Sequence, residues 1–486
     1  MENDHEYRRL FIGGAWRRPA EPSSVRTVQS PADRHHLGSY PVATSADLDA
    51  AVAAARGALV NPAWADLTPD QRADHLERLA DELNKVCATR ADLTSLQNGM
   101  PIAVAQFAEG DAPVGLLRYY AGLARTTPAE QRRPRIDGRG WTVVRREPVG
   151  VVAMIVPWNF PQALTMFKLA PALAAGCTVV LKPAPETTLD AFVLAAAAER
   201  AGLPAGVLNV VTGGADVGAY LVGHPGVDKV AFTGSTAAGR AVGRVCGELL
   251  RPVTLELGGK SAAIVLDDAD AVDVVSGLAT ASLLNNGQTC YLSTRVLVPA
   301  QRHDEMFDAL AALVSSLTVG DPLDADTHIG PLVSRRQRDR VLDYIRTGVA
   351  DDTLVAAGAD RAVPGDGWFV APTVFGRVHN DSRLAREEIF GPVLAVIPYT
   401  GLEEAVALAN DSEYGLGGTV WTKDPRAGLD VARRIRTGSI GVNFFDLDIG
   451  APFGGVKSSG LGRELGPEGL DAYVNLKSIY LRQENP

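Results

Sequence analysis

The sequence predicts an α/β protein built on a parallel sheet that helices cover on both faces. From about Val143 to Ile264, short β-branched runs alternate with longer alanine-rich segments. These runs are apolar throughout, the mark of strands buried on both faces, and parallel strands need helical crossovers between them. A second alternation of the same kind begins beyond Gly258. With 486 residues the chain exceeds one hydrophobic core, so two or three domains are expected.

Taken in order, the N-terminal part offers a short strand at Leu10–Ile12 and helices around Asp47–Val60 and Pro69–Val86. The stretch Thr126–Gly140 is rich in Pro, Arg and Gly, and strand-like Trp141–Arg145 follows it, which reads as a protruding hairpin or arm. Strands are then expected at Val149–Val156, Cys177–Leu181, Val207–Val211, Lys229–Phe232, Val253–Leu257 and Ala262–Leu266. Helices fall at Leu189–Ala201, with Thr188 as its cap, and at Thr236–Leu249, Ala271–Leu284 and Arg302–Ser316. Parallel sheets bind ligands beyond the carboxyl ends of their strands, so the site is expected in the loops that follow them.

Hydrophobic residues make up 46% and charged residues 21%, an ordinary globular balance. The net charge of −10 argues against nucleic acid or an anionic membrane as the main partner. The basic clusters at Arg132, Arg133 and Arg135, and at Arg145 and Arg146, read as solvated faces. No continuously apolar stretch is long enough to span a membrane, and Met1–Arg9 carries no apolar signal core. Four scattered cysteines without CxxC spacing fit neither a disulfide framework nor a zinc site, and a reducing cytoplasm is expected.

Four short segments could carry chemistry. Asn285-Asn286-Gly287-Gln288-Thr289-Cys290 sets a cysteine after a polar, glycine-containing loop; it is a nucleophile or a small buried hydrophobe. None of the eight histidines sits in a motif that would activate it. Glu256, at the end of an apolar strand before two glycines, is a general base raised by burial or an edge-strand carboxylate facing water. Pro157-Trp158-Asn159-Phe160-Pro161 fixes a turn whose Asn159 amide could face developing negative charge, and otherwise is only a turn. Phe232-Thr233-Gly234-Ser235 ends a strand and starts a helix, either as an anion site or as ordinary capping. The GxGxxG dinucleotide fingerprint is absent, since Gly460, Gly462 and Gly466 are wrongly spaced.

Together and in this order, the segments resemble the aldehyde dehydrogenase superfamily, specifically its hydrolytic, non-acylating members. The matching stretches run from Glu147-Pro148-Val149-Gly150 through PWNFP (157–161), KPAPETT (182–188), FTGS (232–235), LELGGK (255–260) and NNGQTC (285–290). They continue with EEIFGPV (387–393), Asn410 with Tyr414-Gly415-Leu416, and PFGGVKSSGLGRELG (452–466).

The resemblance implies that Cys290 is the nucleophile, Asn159 and the Cys290 backbone N–H hold the oxyanion, and Glu256 activates water. Lys168 and Glu464 match positions proposed to relay protons. For the cofactor, NAD or NADP, it implies Lys182 at the adenine ribose and Gly234 and Ser235 at the pyrophosphate, with Trp158 beside it. Glu388 would hold the nicotinamide ribose, and Phe390 would pack near the ring. Strictly NAD-dependent members often place a glutamate three residues after the lysine; here Pro185 stands there, with Glu186 shifted by one. NAD is expected to be preferred with NADP usable, because no cation for a 2′-phosphate is visible nearby in sequence.

The implied architecture is a Rossmann-like cofactor domain (1–124 and 147–257), an α/β catalytic domain (258–460) and a small β oligomerisation arm (125–146 and 474–486). The arm, with strand Val474–Leu481, implies a homodimer or homotetramer. Phe160, Leu164, Phe167, Tyr291, Phe444 and Phe445 would line an apolar aldehyde tunnel, with Asp446 and Asp448 near its mouth. Medium-chain aliphatic or aromatic aldehydes are expected to be preferred over succinic semialdehyde or betaine aldehyde. The competing readings are a CoA-acylating relative, which generally lacks a base matching Glu256, and an inactive structural relative.

Overall fold

The computed structural model describes residues 5–351 and 353–482. Met1–Asp4 and the end of the expected arm, 483–486, lie outside the described residues. An eight-stranded sheet runs in the order Gly460–Leu461, Val253–Glu256, Lys229–Thr233, Val151–Ile155, Thr178–Lys182, Leu208–Val210, Leu10–Ile12, Ala15–Arg17. Its five central strands are parallel. The chain winds outward from Val151–Ile155 in one direction, then returns to place Lys229–Thr233 on its other side. The point where the strand order reverses therefore lies between these two strands, and sheets of this kind form their ligand crevice at the carboxyl ends there.

The second sheet has seven strands, in the order Val355–Ala357, Thr373–Gly376, Val393–Tyr399, Arg295–Pro299, Ala262–Val265, Gly418–Trp421, Gly441–Val442. All its pairings are parallel except the first. The apolar run at Ala262–Leu266 thus belongs here and not with the five strands before it. A three-stranded antiparallel sheet joins Glu130–Pro134, Gly140–Pro148 and Val474–Arg482. Another small sheet holds His5–Glu6, His36–Pro41 and Val25–Gln29.

Helix starts follow local chemistry. Thr44 with Asp47, and Thr68 with Gln71, form capping boxes for Ser45–Val60 and Pro69–Asn84. Ser235 caps Thr236–Glu248 by accepting the Ala238 N–H. The expected cap at Thr188 does not form. Its backbone is already helical, and its hydroxyl donates to the Ala184 carbonyl at 2.7 Å, which turns it away from the helix start. The helix Pro161–Ala175 begins on Pro161, where a missing N–H costs nothing, and its residues are buried almost throughout.

Arg295 ties the second sheet together. It is 2% exposed and donates to the carbonyls of Lys260, Leu408 and Ala409 and to the Asn380 side chain, at 2.8–3.0 Å. Arg295→Met would keep the apolar stem but abandon four buried acceptors, each worth about 1–3 kcal/mol when left unpaired. We expect the urea midpoint of unfolding to fall by an amount corresponding to about 3 kcal/mol or more. A midpoint within error of the parent would contradict this role.

Candidate active site

The first sheet presents the carboxyl ends of its strands to the crevice. After Val151–Ile155 comes the turn with Trp158 and Asn159; Lys182 ends the next strand; Gly234 and Ser235 follow Lys229–Thr233; Glu256 ends Val253–Glu256. The second sheet contributes differently. Gly258–Ser261 precedes Ala262–Val265, Cys290 precedes Arg295–Pro299, and Glu388 and Phe390 precede Val393–Tyr399. Its site residues therefore lie in loops before the strands, against the expectation of loops after them. The carboxyl edge of one sheet faces the amino edge of the other.

Two glycines allow that approach. A Cβ at Gly259 would collide with the Cys290 carbonyl oxygen, and one at Gly258 would collide with the Glu388 carboxylate. Glu388 Oε1 accepts the Gly259 N–H at 3.0 Å. Burial, partly offset by that N–H and by Arg340 and Lys260, pushes Glu388 up to about 7.

The Cys290 loop is fixed from several sides. Asn286 donates to the carbonyls of Gly99 and Pro331 and accepts the Gly330 N–H, while Gln288 Oε1 accepts the Val333 N–H. Asn159, 3% exposed, donates its side-chain amide to the Gln288 carbonyl at 3.0 Å. Its own carbonyl accepts from Asn285 at 2.8 Å and from Asn98 at 3.2 Å. Asn159 thus reaches the loop two residues before Cys290 and is itself held by two buried amides. Cys290 is half-buried as a residue, and desolvation of its thiol, then the carboxylates of Glu388 and Glu256, raise its pKa.

Glu256 is 3% exposed and lies between Thr233 and Gly460 in the sheet, so the reading as an edge carboxylate in water falls. Neither carboxylate oxygen has a hydrogen-bond partner. Burial and the negative Glu464 raise its pKa well above the usual carboxylate range; Lys168 and Arg463 oppose them. Lys168 Nζ stands 2.7 Å from Glu464 as an ion pair and donates to the Thr233 hydroxyl at 2.6 Å. All three side chains are buried.

At the other end of the crevice, Lys182 Nζ donates to the carbonyls of Pro183 (2.7 Å) and Gly213 (3.2 Å), leaving a third N–H for a ligand hydroxyl. Burial brings Lys182 down to about 8, with Glu186 opposing. Glu186 makes no hydrogen bond to it. Trp158 and Phe390 meet edge to face with ring centroids 5.3 Å apart, and Gln337 holds Phe390 through its carbonyl. The helix Thr236–Glu248 starts at the carboxyl end of Lys229–Thr233, with Ser235 as its cap. A nicotinamide dinucleotide fits these groups: a cation for a ribose hydroxyl, free helix N–H groups for a pyrophosphate, and an uncommitted Glu388 oxygen for a second ribose.

Phe160, Leu164, Phe167, Cys290 and Tyr291 share one apolar cluster, together with Tyr119, Leu447, Ile449 and Phe453. Tyr291 stacks on Phe445 at 4.7 Å and meets Phe453 edge-on at 6.2 Å. Phe444 does not join it and is 62% exposed. From 444 to 449 the chain alternates, with Phe445, Leu447 and Ile449 turned inward and Phe444, Asp446 and Asp448 outward. That period-two pattern stands in the sequence and could have found Leu447 and Ile449. Asn98 and Tyr119 had no such signal.

Among the described residues no three His, Cys, Asp or Glu side chains gather to hold a metal. The family model described as "Aldehyde dehydrogenase family" matches residues 16–479. A geranial dehydrogenase of Castellaniella defragrans is 54% identical over 481 residues, covering 99% of this chain and 100% of the relative. A phenylacetaldehyde dehydrogenase of Pseudomonas fluorescens is 41% identical, covering 97% and 95%. Among solved structures, the Mycobacterium tuberculosis aldehyde dehydrogenase complexed with NAD+ superposes with a TM-score of 0.96 at 44% identity, covering both chains completely. The chain belongs to the aldehyde dehydrogenase family and is an oxidoreductase that acts on aldehydes.

Proposed function

We propose that the protein oxidises an apolar aldehyde to the carboxylic acid with NAD+ and water, through a thioester on Cys290. The reading rests on Cys290 and the buried base Glu256 lying within electrostatic reach of each other, with Asn159 hydrogen-bonded to the nucleophile's loop. The thiol gives its proton to Glu256, and its sulfur adds to the aldehyde carbon. The negative oxygen that forms is held by the Asn159 amide and the Cys290 N–H. NAD+, when bound, supplies the hydride acceptor. The carbon loses its hydrogen as hydride to that acceptor and becomes the thioester's acyl carbon, while Glu256 hands the thiol's proton on and is an anion again. It then takes a proton from water, whose oxygen displaces the Cys290 sulfur from the acyl carbon and completes the acid. The Lys168–Glu464 pair beside Glu256 relays that proton away.

Lys182, Gly234, Ser235, Trp158, Glu388 and Phe390 are assigned to the cofactor, with Glu186 near the adenine ribose. The structure complexed with NAD+ supports NAD+ here. Phe160, Leu164, Phe167, Tyr291 and Phe445 are assigned to the substrate wall, joined by Leu447, Ile449 and Phe453; the names of the geranial and phenylacetaldehyde enzymes support an apolar substrate. We divide the chain into a cofactor domain (1–124, 147–257), a catalytic domain (258–460) and an arm (125–146, 474–486). The strand Val474–Arg482 exposes Leu476 at 65% and Tyr480 at 70%, which suits a homodimer or homotetramer that covers them. Among the described residues no helix is long and apolar enough to cross a membrane, and all four cysteines are free; we place the enzyme in the cytoplasm.

Cys290→Ala should abolish turnover while NAD+ still binds, as read by calorimetry. Asn159→Ala should lower kcat by about 10²–10³, the cost of one oxyanion donor. Near-parental turnover of either variant would refute these roles.

Because Glu256 acts as its anion and its pKa is raised, deacylation should rise with pH as that carboxyl ionises and fall on acidification. Glu256→Gln should remove this limb, leaving a single burst of NADH per site and slow turnover. An unchanged steady-state rate would contradict the assignment.

Across hexanal, benzaldehyde, succinic semialdehyde and betaine aldehyde, kcat/KM should favour the two neutral substrates. Each buried methylene gains about 0.8 kcal/mol, whereas an unpaired buried charge costs several. A charged substrate ranking first would overturn the apolar wall.

A further inference from the structure

We propose that Arg26 is the cation that admits a 2′-phosphate at the adenosine ribose, so that the site accepts NADP as well as NAD. This rests on reading Lys182 as the ribose-binding lysine. Arg26 lies on the strand Val25–Gln29, opposite Tyr40, far from Lys182 in sequence. In space its guanidinium nitrogens come 3.3 and 3.6 Å from where a Cβ at Gly214 would stand. Lys182 Nζ reaches the carbonyl of the neighbouring Gly213 at 3.2 Å. Two cations therefore approach one glycine pair from distant positions in the chain, and a side chain at Gly214 would run into both the Asp216 carboxylate and the Arg26 guanidinium. Their mutual influence is visible in Lys182, whose pKa Arg26 lowers further after burial.

The ribose wall lacks the carboxylate three residues after the lysine. At the position three residues after the lysine stands Pro185, whose carbonyl accepts the Tyr40 hydroxyl at 3.2 Å. The carboxylates facing Lys182 are Glu186 and Asp216, with Asp216 Oδ1 2.8 Å from the Gly214 Cβ position. Two cations thus face two anions, a balance that repels neither a hydroxyl nor a phosphate outright. Arg26 is exposed, with the Tyr40 hydroxyl beside its guanidinium, and the planar fork suits the bidentate contact that phosphate oxygens favour.

The test uses nucleotides without nicotinamide, so that binding is read apart from turnover. Calorimetry on the full-length protein should show 2′,5′-ADP binding at least as tightly as 5′-AMP. In Arg26→Ala the dissociation constant for 2′,5′-ADP should rise about tenfold or more, the loss of a charge-assisted contact, with 5′-AMP changed less than twofold. Arg26→Lys should recover part of the loss. In parallel, kcat/KM for NADP should fall in Arg26→Ala while that for NAD holds. Because Arg26 is exposed on its strand, circular dichroism should report an unchanged fold. Equal loss of both nucleotides, or no loss of either, would overturn the proposal while leaving the cofactor site in place. Failure of the parent protein to bind either nucleotide would overturn the cofactor reading itself, and this proposal with it.

Discussion

The arrangement depends on one close approach of backbone to backbone, between Gly259 and the Cys290 carbonyl. It brings the carboxyl edge of one parallel sheet against the amino edge of another, and a single added methyl group would force them apart. Everything with chemical consequence lies on one side or the other of that contact. Asn159 and Glu256 come from the first sheet; Cys290, Glu388 and Phe390 come from the second. The proposed nucleophile and base, carried on separate sheets, keep their relation only if the junction is tight. The amides of Asn98, Asn285 and Asn286 serve the same end by bonding to main-chain carbonyls, where distances are set by backbone and not by rotamers.

The second organising feature is charge. Glu256 and Glu388 both bear on the Cys290 thiol, and both raise its pKa on top of burial. Burial and these two carboxylates thus disfavour the thiolate. The same negative surroundings would stabilise a cationic ring brought near the sulfur, and that ring would in turn favour the thiolate. Lys168 works against the accumulation from the far side of Glu256 and is itself neutralised by Glu464 at 2.7 Å. Glu256 is thus left without a hydrogen bond to either oxygen, within the field of a buried ion pair, a setting that suits its proposed role of taking a proton and passing it on.

Much of this was legible in the sequence, and for identifiable reasons. Apolar, β-branched runs can only be interior strands, so Val151–Ile155, Thr178–Lys182 and Lys229–Thr233 appear within two residues of where they were expected. Helix starts were legible where a side chain was free to cap, as at Ser235, and failed at Thr188, whose hydroxyl had a better local partner in the Ala184 carbonyl. Sheet membership was harder to see. Ala262–Val265 looks like its predecessors but pairs with Arg295–Pro299 and Gly418–Trp421, since an apolar run carries no label for its neighbours. Arg26 and Asn98 were invisible because their partners lie far off in the chain.

The segment 444–449 shows how a local pattern decides a functional question. Its residues alternate between the apolar cluster around Tyr291 and the solvent, and this separates Phe445 from Phe444 although the two are adjacent and chemically identical. The same alternation turns Asp446 and Asp448 outward, so neither carboxylate enters the wall formed by Leu447, Ile449 and Phe453. Their fields reach inward only enough to help raise the phenols of Tyr291 and Tyr119, each of which burial raises first. A cationic aldehyde could be drawn toward the outer rim by these charges, yet beyond it the cation would pass between aromatic rings without a carboxylate partner. Cation–π contact returns about 0.5–2 kcal/mol, less than the several kcal/mol that desolvation removes. Under the proposed apolar substrate wall, selectivity for neutral aldehydes would come from what the inner wall lacks, with the two aspartates left at the rim.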